Sequence, residues 1–488
     1  MRDYQAGHIK FALPKGRFLS ATASLSAGIG LGFEGYGDKT KRYRLRSASF
    51  SNLAAKILQE KDIPIQVAVG NYDLGICGSD WIEEYLVKYP TGTLAKIASM
   101  NYGEGDIHVV ASAEAGIAGL DELSARKNDC RIVSEYPNLS EAFALNLRMR
   151  RFRIFPVWGA AEAYPPEDAD LAVLWAKSRA QITDQGLIPL DKLLSVTAYL
   201  IANRESLESK DLSQILTCFD SRLSADLSAK AWQVGPQTSI GKMENELDTS
   251  QELKRLRRLK PSKEINLALP DGHQQAPASQ FLKRSGLALR GYSEEAVSRR
   301  PCADLDWLGI KVIRPQDMPL QVANSNFDLA ITGEDWLREH LCRFPSSPVK
   351  KLLALGFGTV KIVAAVSQEM PVDTIDELRA LVQSGEFAPL TVASEYIHIA
   401  DQYTRENRIN PYKLIPTWGA SEAFLPEDAD MLVDNVQTGK TLERHKLRIL
   451  DVLFQSSACL IANKGSLASS NKKEKIKFLT QKLQAHLR

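Results

Sequence analysis

Cysteine is scarce. Six stand singly in 488 residues, with no Cys-x-x-Cys pair and no Cys/His spacing of a zinc module. That excludes a disulfide framework and predicts a reducing compartment. No run of apolar residues is long enough to cross a bilayer. The opening Met1-Arg-Asp-Tyr-Gln-Ala-Gly-His8 lacks the apolar core of a secretory signal, so a cytoplasmic location is expected. Charge of one sign is also lacking, since 61 Lys and Arg against 59 Asp and Glu leave a net +2. This balance argues against a nucleic-acid coat or a polybasic membrane binder, and neither nucleic acid nor membrane is expected as a partner. What remains, 44% hydrophobic and 25% charged residues, is the composition of a soluble globular chain of about two to four domains.

The chain contains itself twice. Ile9-Lys-Phe-Ala-Leu-Pro14 returns as Ile265-Asn-Leu-Ala-Leu-Pro270, and Tyr72-Asp-Leu-Gly-Ile-Cys-Gly-Ser-Asp-Trp81 as Phe327-Asp-Leu-Ala-Ile-Thr-Gly-Glu-Asp-Trp336. Trp158-Gly-Ala-Ala-Glu162 matches Trp418-Gly-Ala-Ser-Glu422, Pro166-Glu-Asp-Ala-Asp170 matches Pro426-Glu-Asp-Ala-Asp430, and Leu200-Ile-Ala-Asn203 matches Leu460-Ile-Ala-Asn463. A tandem duplication of a unit of roughly 200 residues follows, far longer than a solenoid repeat. The boundaries predicted are a first copy over 1–235, a polar linker over 236–263 and a second copy over 264–488. Apolar runs such as Val109-Val-Ala111, Lys361-Ile-Val-Ala-Ala365 and Asp430-Met-Leu-Val433 read as buried parallel strands. Asn52-Leu-Ala-Ala-Lys-Ile-Leu58 and Ser140-Glu-Ala-Phe-Ala-Leu-Asn-Leu147 read as helical. The alternation predicts an α/β fold with ligands at the carboxyl ends of strands.

Four loops carry polar residues where a strand ends. In Asp434-Asn-Val-Gln-Thr-Gly-Lys-Thr441, a Thr-Gly-x-Thr turn before a helix offers backbone N–H groups and hydroxyls to a phosphate, with the helix dipole adding to the attraction. It is no nucleoside-triphosphate P-loop, because Asp434 stands where the first glycine belongs. The plain alternative is a helix N-cap. Leu13-Pro-Lys-Gly-Arg17 places two cations around a glycine. Arg314-Pro-Gln-Asp-Met-Pro319 is followed by a turn at Thr332-Gly333, for which Asp335 as a helix cap is the plain alternative. Ser134-Glu-Tyr-Pro-Asn-Leu139 ends a strand and opens a helix.

In order and spacing, these loops resemble ATP phosphoribosyltransferase, the first enzyme of histidine biosynthesis, over about 8–235 and again about 264–488. The resemblance implies two α/β lobes per copy, like class II periplasmic binding proteins, with the second lobe inserted before the closing Leu-Ile-Ala-Asn strand and the site between lobes. It implies a transferase that joins N1 of ATP to C1 of 5-phosphoribosyl 1-pyrophosphate, with Mg²⁺ on the pyrophosphate and no metal held by the chain itself. Implied binders of phosphoribosyl pyrophosphate are Glu422, Asp434, Thr438, Gly439, Lys440 and Thr441. Implied binders of ATP are Lys15, Gly16, Arg17, Tyr136, Arg314, Thr332 and Gly333, with Asp434, Lys15 and Arg17 at the chemistry. Partners implied beside the substrates are a further copy of the chain or a subunit resembling histidyl-tRNA synthetase. The family's histidine-sensing C-terminal domain is not expected, since one amphipathic helix follows Leu467.

The copies depart from this pattern in complementary ways. The first keeps Lys15, Gly16, Arg17 and Tyr136-Pro-Asn138, but its phosphoribosyl loop has become Leu174-Trp-Ala-Lys-Ser-Arg-Ala-Gln181. The second keeps Arg314, Glu422 and the whole Asp434–Thr441 loop, but its first turn reads Asp271-Gly-His273 and its Tyr-Pro-Asn reads Tyr396-Ile-His398. One working site per chain is expected, with Lys15 and Arg17 meeting the Thr438–Thr441 loop or, as the other route, Arg314 and its neighbours replacing the missing cations within the second copy. The alternative is a catalytically dead regulator of the same fold.

Overall fold

The computed structural model describes residues 8–37, 43–90, 92–117, 119–125, 129–219, 264–294, 297–385, 389–419 and 421–487. The linker expected over 236–263 lies outside them. Two compact units emerge. The first comprises 1–156, 169–257 and 418–423, and the second 157–168, 258–417 and 424–488.

The first unit is two-lobed. Its strands are β1 (Ile9–Pro14), β2 (Arg44–Arg46), β3 (Leu53–Leu58), β4 (Leu74–Gly78), β5 (Leu94–Ser99), β6 (Gly105–Ser112), β7 (Cys130–Ser134), β8 (Phe152–Pro156), β9 (Leu171–Ala176), β10 (Leu187–Val196) and β11 (Ala198–Asn203). One sheet has the order β2-β3-β1-β4-β11-β5 and the other β10-β6-β9-β7-β8. The second lobe is thus inserted before β11, the Leu-Ile-Ala-Asn strand, which returns antiparallel between β4 and β5.

The second unit repeats the plan with β12 (Ile265–Pro270), β13 (Leu289–Tyr292), β14 (Val297–Ala303), β15 (Leu308–Ile313), β16 (Leu329–Gly333), β17 (Val349–Ala354), β18 (Val360–Ser367), β19 (Leu390–Ser394), β20 (Tyr412–Pro416), β21 (Met431–Val436), β22 (Leu447–Ser456) and β23 (Ala458–Asn463). Its sheets run β15-β12-β16-β23-β17 and β20-β19-β21-β18-β22, with the hairpin β13-β14 apart.

Two sequence expectations are corrected. Leu53–Leu58 is a strand parallel to β1, not a helix. It is rich in Ala and Leu, good helix formers, but it is buried along nearly its whole length, and such a run has no periodicity to separate strand from helix. The runs containing Val109 and Lys361 are strands, yet β6 is antiparallel to both β9 and β10, and β18 to both β21 and β22. These strands enter the second lobe just after the chain crosses into it, and they run against their neighbours there.

Several duplicated motif residues turn out to hold the fold. The carboxylates of Asp73 and Asp328 accept the backbone N–H groups of Lys10 and Asn266 at 2.8 and 2.9 Å. Asp170 and Asp430 do the same for Arg131 and Thr391, each at 2.8 Å. Asn203 and Asn463 each cap the helix that follows and donate to the carbonyls of Val67 and Val322. Each pin ties a backbone N–H or carbonyl of the fold to a repeated side chain, so the motifs recur because the fold recurs.

The cores differ. In the first unit one continuous apolar cluster runs from Phe11 and Ile57 of one lobe to Ile107, Val109 and Phe143 of the other. In the second the lobes have separate clusters, one around Leu267 and Val312 and one around Ile362 and Val392. The closing helix Ser470–Gln484 buries Ile476, Leu479 and Leu483 in the former.

Candidate active site

Asp434 lies buried near the end of β21. Its Oδ1 accepts the Asn435 backbone N–H at 2.6 Å and the Asn435 side-chain amide at 3.1 Å. That amide also donates to the Tyr396 hydroxyl at 3.2 Å, and the hydroxyl donates to Asp335 at 2.6 Å. The other Asp335 oxygen accepts from Ser456 at 2.7 Å. Burial and the neighbouring carboxylates Asp335 and Asp434 push the Tyr396 phenol well above its usual range, so it remains a donor. Asp335 is therefore no cap. Gly333 occupies the N-cap position of the helix Glu334–Arg343, and a Cβ there would lie 2.1 Å from the Asp335 carboxylate. Thr332 is buried, its hydroxyl bound to the Pro315 carbonyl at 2.9 Å.

Beyond Asp434 the chain turns through Thr438 into the short helix Lys440–Arg444. Gly439 takes φ +74° and ψ −16°, and no side chain caps the helix start. The equivalent turn of the first copy closes on itself. Ser178 is extended and its Oγ accepts the Gln181 N–H, while Arg179 is the first residue of the helix Arg179–Asp184. Free N–H groups at a helix start are what a phosphate binds; a side-chain cap uses one of them up.

The clefts differ in their cations as well. In the first unit Arg17 does not stand free. Its Nε donates to Glu60 at 2.8 Å and its Nη2 to Asp80 at 2.5 Å. Its guanidinium lies 4.6 Å from the Phe18 ring and 4.9 Å from the Trp175 ring. The Tyr136 hydroxyl donates to the same Asp80 oxygen at 2.8 Å. Burial lifts the Glu60 carboxyl to about 7 despite the pull of Arg17. Trp175 occupies the position that Asn435 has in the second copy. Lys15 donates to the Tyr43 hydroxyl at 3.2 Å, and Gly16 turns at φ +87°. Asn138 is no free polar group either. Glu84 accepts its backbone and side-chain N–H groups and the Leu139 N–H, so it caps the helix Pro137–Asn146 from outside.

In the second unit, Asp271 takes the place of Lys15, and two guanidiniums face it. Arg299 Nη1 lies 2.9 Å and Arg314 Nη1 3.3 Å from its oxygens. Arg299 also pairs with Glu162 at 2.9 Å. Glu162 is the motif glutamate of the first copy, but it belongs to the 157–168 segment of the second unit. Lys311 holds that segment through Glu167, Asp168 and the Tyr164 carbonyl, and the Trp158 N–H donates to Asp317. Glu422 belongs to the segment counted with the first unit. Sequence reasoning missed Arg299 because it stands opposite Tyr43, outside every motif. The signal available was the change of Lys15 to Asp271, which leaves an acid in need of a cation.

The ATP phosphoribosyltransferase family model matches residues 59–223 and again 314–485. The chain is 30% identical over 220 residues to the ATP phosphoribosyltransferase of Prosthecochloris aestuarii, covering 45% of this chain and 70% of that one. It is 33% identical over 205 residues to that of Saccharolobus solfataricus, covering 41% and 64%. Among solved structures, it is similar to the ATP phosphoribosyl transferase (HisG:HisZ) complex from Thermotoga maritima, at 18% identity and a TM-score of 0.37 over 45% of this chain and all of that one.

Proposed function

The chain belongs to the ATP phosphoribosyltransferase family, and from that premise we propose that its one working site is built on the second copy. The reaction joins N1 of ATP to C1 of 5-phosphoribosyl 1-pyrophosphate and releases pyrophosphate, the first step of histidine biosynthesis. C1 gains positive character as pyrophosphate leaves. The protein's work is to hold two anionic ends apart, align N1 with C1 and stabilise the departing charge. In this reading Thr438, Gly439, Lys440 and Thr441 take the 5-phosphate, and Asp434 accepts from the ribose hydroxyls, with Glu422 a further candidate for them. Arg299 and Arg314 face the pyrophosphate or the triphosphate of ATP. Lys15 is kept as a candidate for the triphosphate, whereas Arg17 is committed to Glu60 and Asp80. Tyr136, Thr332 and Gly333 shape their clefts rather than touch a ligand.

The observation that carries the proposal is the contrast at the phosphoribosyl turn. Gly439 is left-handed with an uncapped helix behind it, while Ser178 caps its own helix. The family uses a divalent metal. Among the described residues no group of three or more His, Cys, Asp or Glu side chains could hold one. In this reading Mg²⁺ arrives on the pyrophosphate, coordinated by phosphate oxygens and water.

The test is pyrophosphate release by the purified full chain with ATP, phosphoribosyl pyrophosphate and Mg²⁺. Turnover by the unmodified chain, its loss in Gly439→Arg and its retention in Arg179→Gly are expected. Equal loss in both variants would overturn the assignment to the second copy.

A further inference from the structure

We propose that the second copy carries an additional small-molecule site in the groove between the helices Glu334–Arg343 and Ile397–Glu406 and strand β22, built for a compound with an apolar or aromatic body and a basic nitrogen. A cavity of about 750 Å³ opens there. One wall is the helix Glu334–Arg343, which follows β16 of the first lobe. The others are the helix Ile397–Glu406 and strand β22 of the second lobe. Leu341, Ile399, Leu453 and Phe454 give it an apolar floor, and the size suits a drug-sized ligand.

Two of its polar groups, Asp451 and Glu406, are carboxylates. Asp451 receives one hydrogen bond, from the Tyr403 hydroxyl at 3.1 Å. Glu406 receives one, from the Gln402 amide at 2.6 Å. Each carboxylate thus keeps one oxygen that no described residue engages. Arg338, the cation of the lining, is already committed, paired to Glu334 at 3.0 Å and lying 4.1 Å over the Phe454 ring. A ligand entering here meets unspent negative charge beside apolar and aromatic walls, which selects an organic cation over an anion.

The first copy lacks most of this polar lining. The residues standing where Cys342, Tyr403 and Asn407 stand are Val87, Phe143 and Leu147, and all three pack into the continuous core that joins the two lobes of that unit. Asp451 has a counterpart in Asp191, but Phe143 offers that carboxylate no hydroxyl. The polar lining is therefore peculiar to the copy with separate lobe cores.

The walls of the cavity are also the elements that build the buried network beside Asp434. Asp335 lies at one end of the first helix, Tyr396 at the N-cap of the second and Ser456 at the end of β22. Glu339 ties the two helices by accepting the His398 and Ile399 N–H groups, each at 2.9 Å. An occupant touches both helices and strand β22 and so bears on the geometry of that network. This coupling rests on the second copy being the working one; the binding itself does not.

Isothermal titration of the full chain with three compounds on one ring system tests the proposal: tryptamine, indole-3-ethanol and indole-3-acetate. One tryptamine per chain, bound more tightly than the alcohol and with the acetate weakest, is expected. Asp451→Asn combined with Glu406→Gln should weaken tryptamine roughly tenfold or more, the scale of a lost charge-assisted hydrogen bond. Asp451→Asn alone keeps the side-chain shape and should show part of the loss, while Asp191→Asn in the first copy should show none. Absence of tryptamine binding, equal affinity for the three compounds, or binding indifferent to Asp451 and Glu406 would overturn the site. Since no turnover is read, none of these outcomes bears on which copy does the chemistry.

Discussion

A left-handed backbone at Gly439, φ +74°, costs an L-residue about 1–2 kcal/mol. Nothing lies within 4 Å of the Cβ it would carry, so the penalty is conformational rather than steric. Gly439→Ala should therefore fold and raise KM for phosphoribosyl pyrophosphate by roughly tenfold. Gly439→Arg adds the side chain that the first copy carries at Arg179 and should be inactive. Asp434→Ala removes an acceptor for the ribose and should lower kcat/KM by roughly tenfold to a hundredfold, a loss of about 1.5–3 kcal/mol; steady-state kinetics on the folded variant checks both. Glu60 titrates in a different sense. Burial lifts its carboxyl to about 7 from an ordinary 4.5, so between those values the folded chain holds a proton that the unfolded chain has released. Its contribution to stability is present below about 4.5 and is lost as pH rises through about 7. Melting temperatures of Glu60→Gln and the unmodified chain should diverge in the variant's favour as pH climbs through this window. Glu84, also lifted to about 7 by burial, remains in both proteins, so the variant's slope should shrink without vanishing.

Among elements, the two phosphoribosyl turns have the same place in sequence and opposite chemistry. The helix Arg179–Asp184 is satisfied by Ser178, whereas the helix Lys440–Arg444 leaves its first N–H groups without a side-chain cap. Ser178→Ala should cost about 1 kcal/mol of stability, the usual value of a cap, and leave turnover unchanged. Thermal melts and the pyrophosphate assay read the two effects separately. The turn was legible in the sequence because glycine and a paired threonine leave a trace in one dimension. So was the duplication, whose repeated carboxylates and asparagines pin backbone in both units. Strand β3 was not legible, since burial along its length erased the alternation that marks a strand. Nor was the direction of β6 and β18, which follows from where the chain crosses between lobes. Arg299 was hidden for a further reason. Lys15 beside Tyr43 in one copy has become Asp271 beside Arg299 in the other, a paired change visible only once the contact is known.

For the whole molecule, each unit includes a segment of the other copy, 157–168 in the second and 418–423 in the first. Glu162, Lys311 and Asp168 show what the second unit would lose without its segment. Halves expressed as 1–235 and 264–488 should be inactive alone and regain turnover on mixing, as followed by the pyrophosphate assay. Complementary decay of the two copies is the central claim, and it has a direct count. Equilibrium titration of the full chain with phosphoribosyl pyrophosphate and Mg²⁺ should give one site per chain, abolished by Gly439→Arg and untouched by Arg179→Gly. Two sites per chain, or one that survives Gly439→Arg, would contradict it.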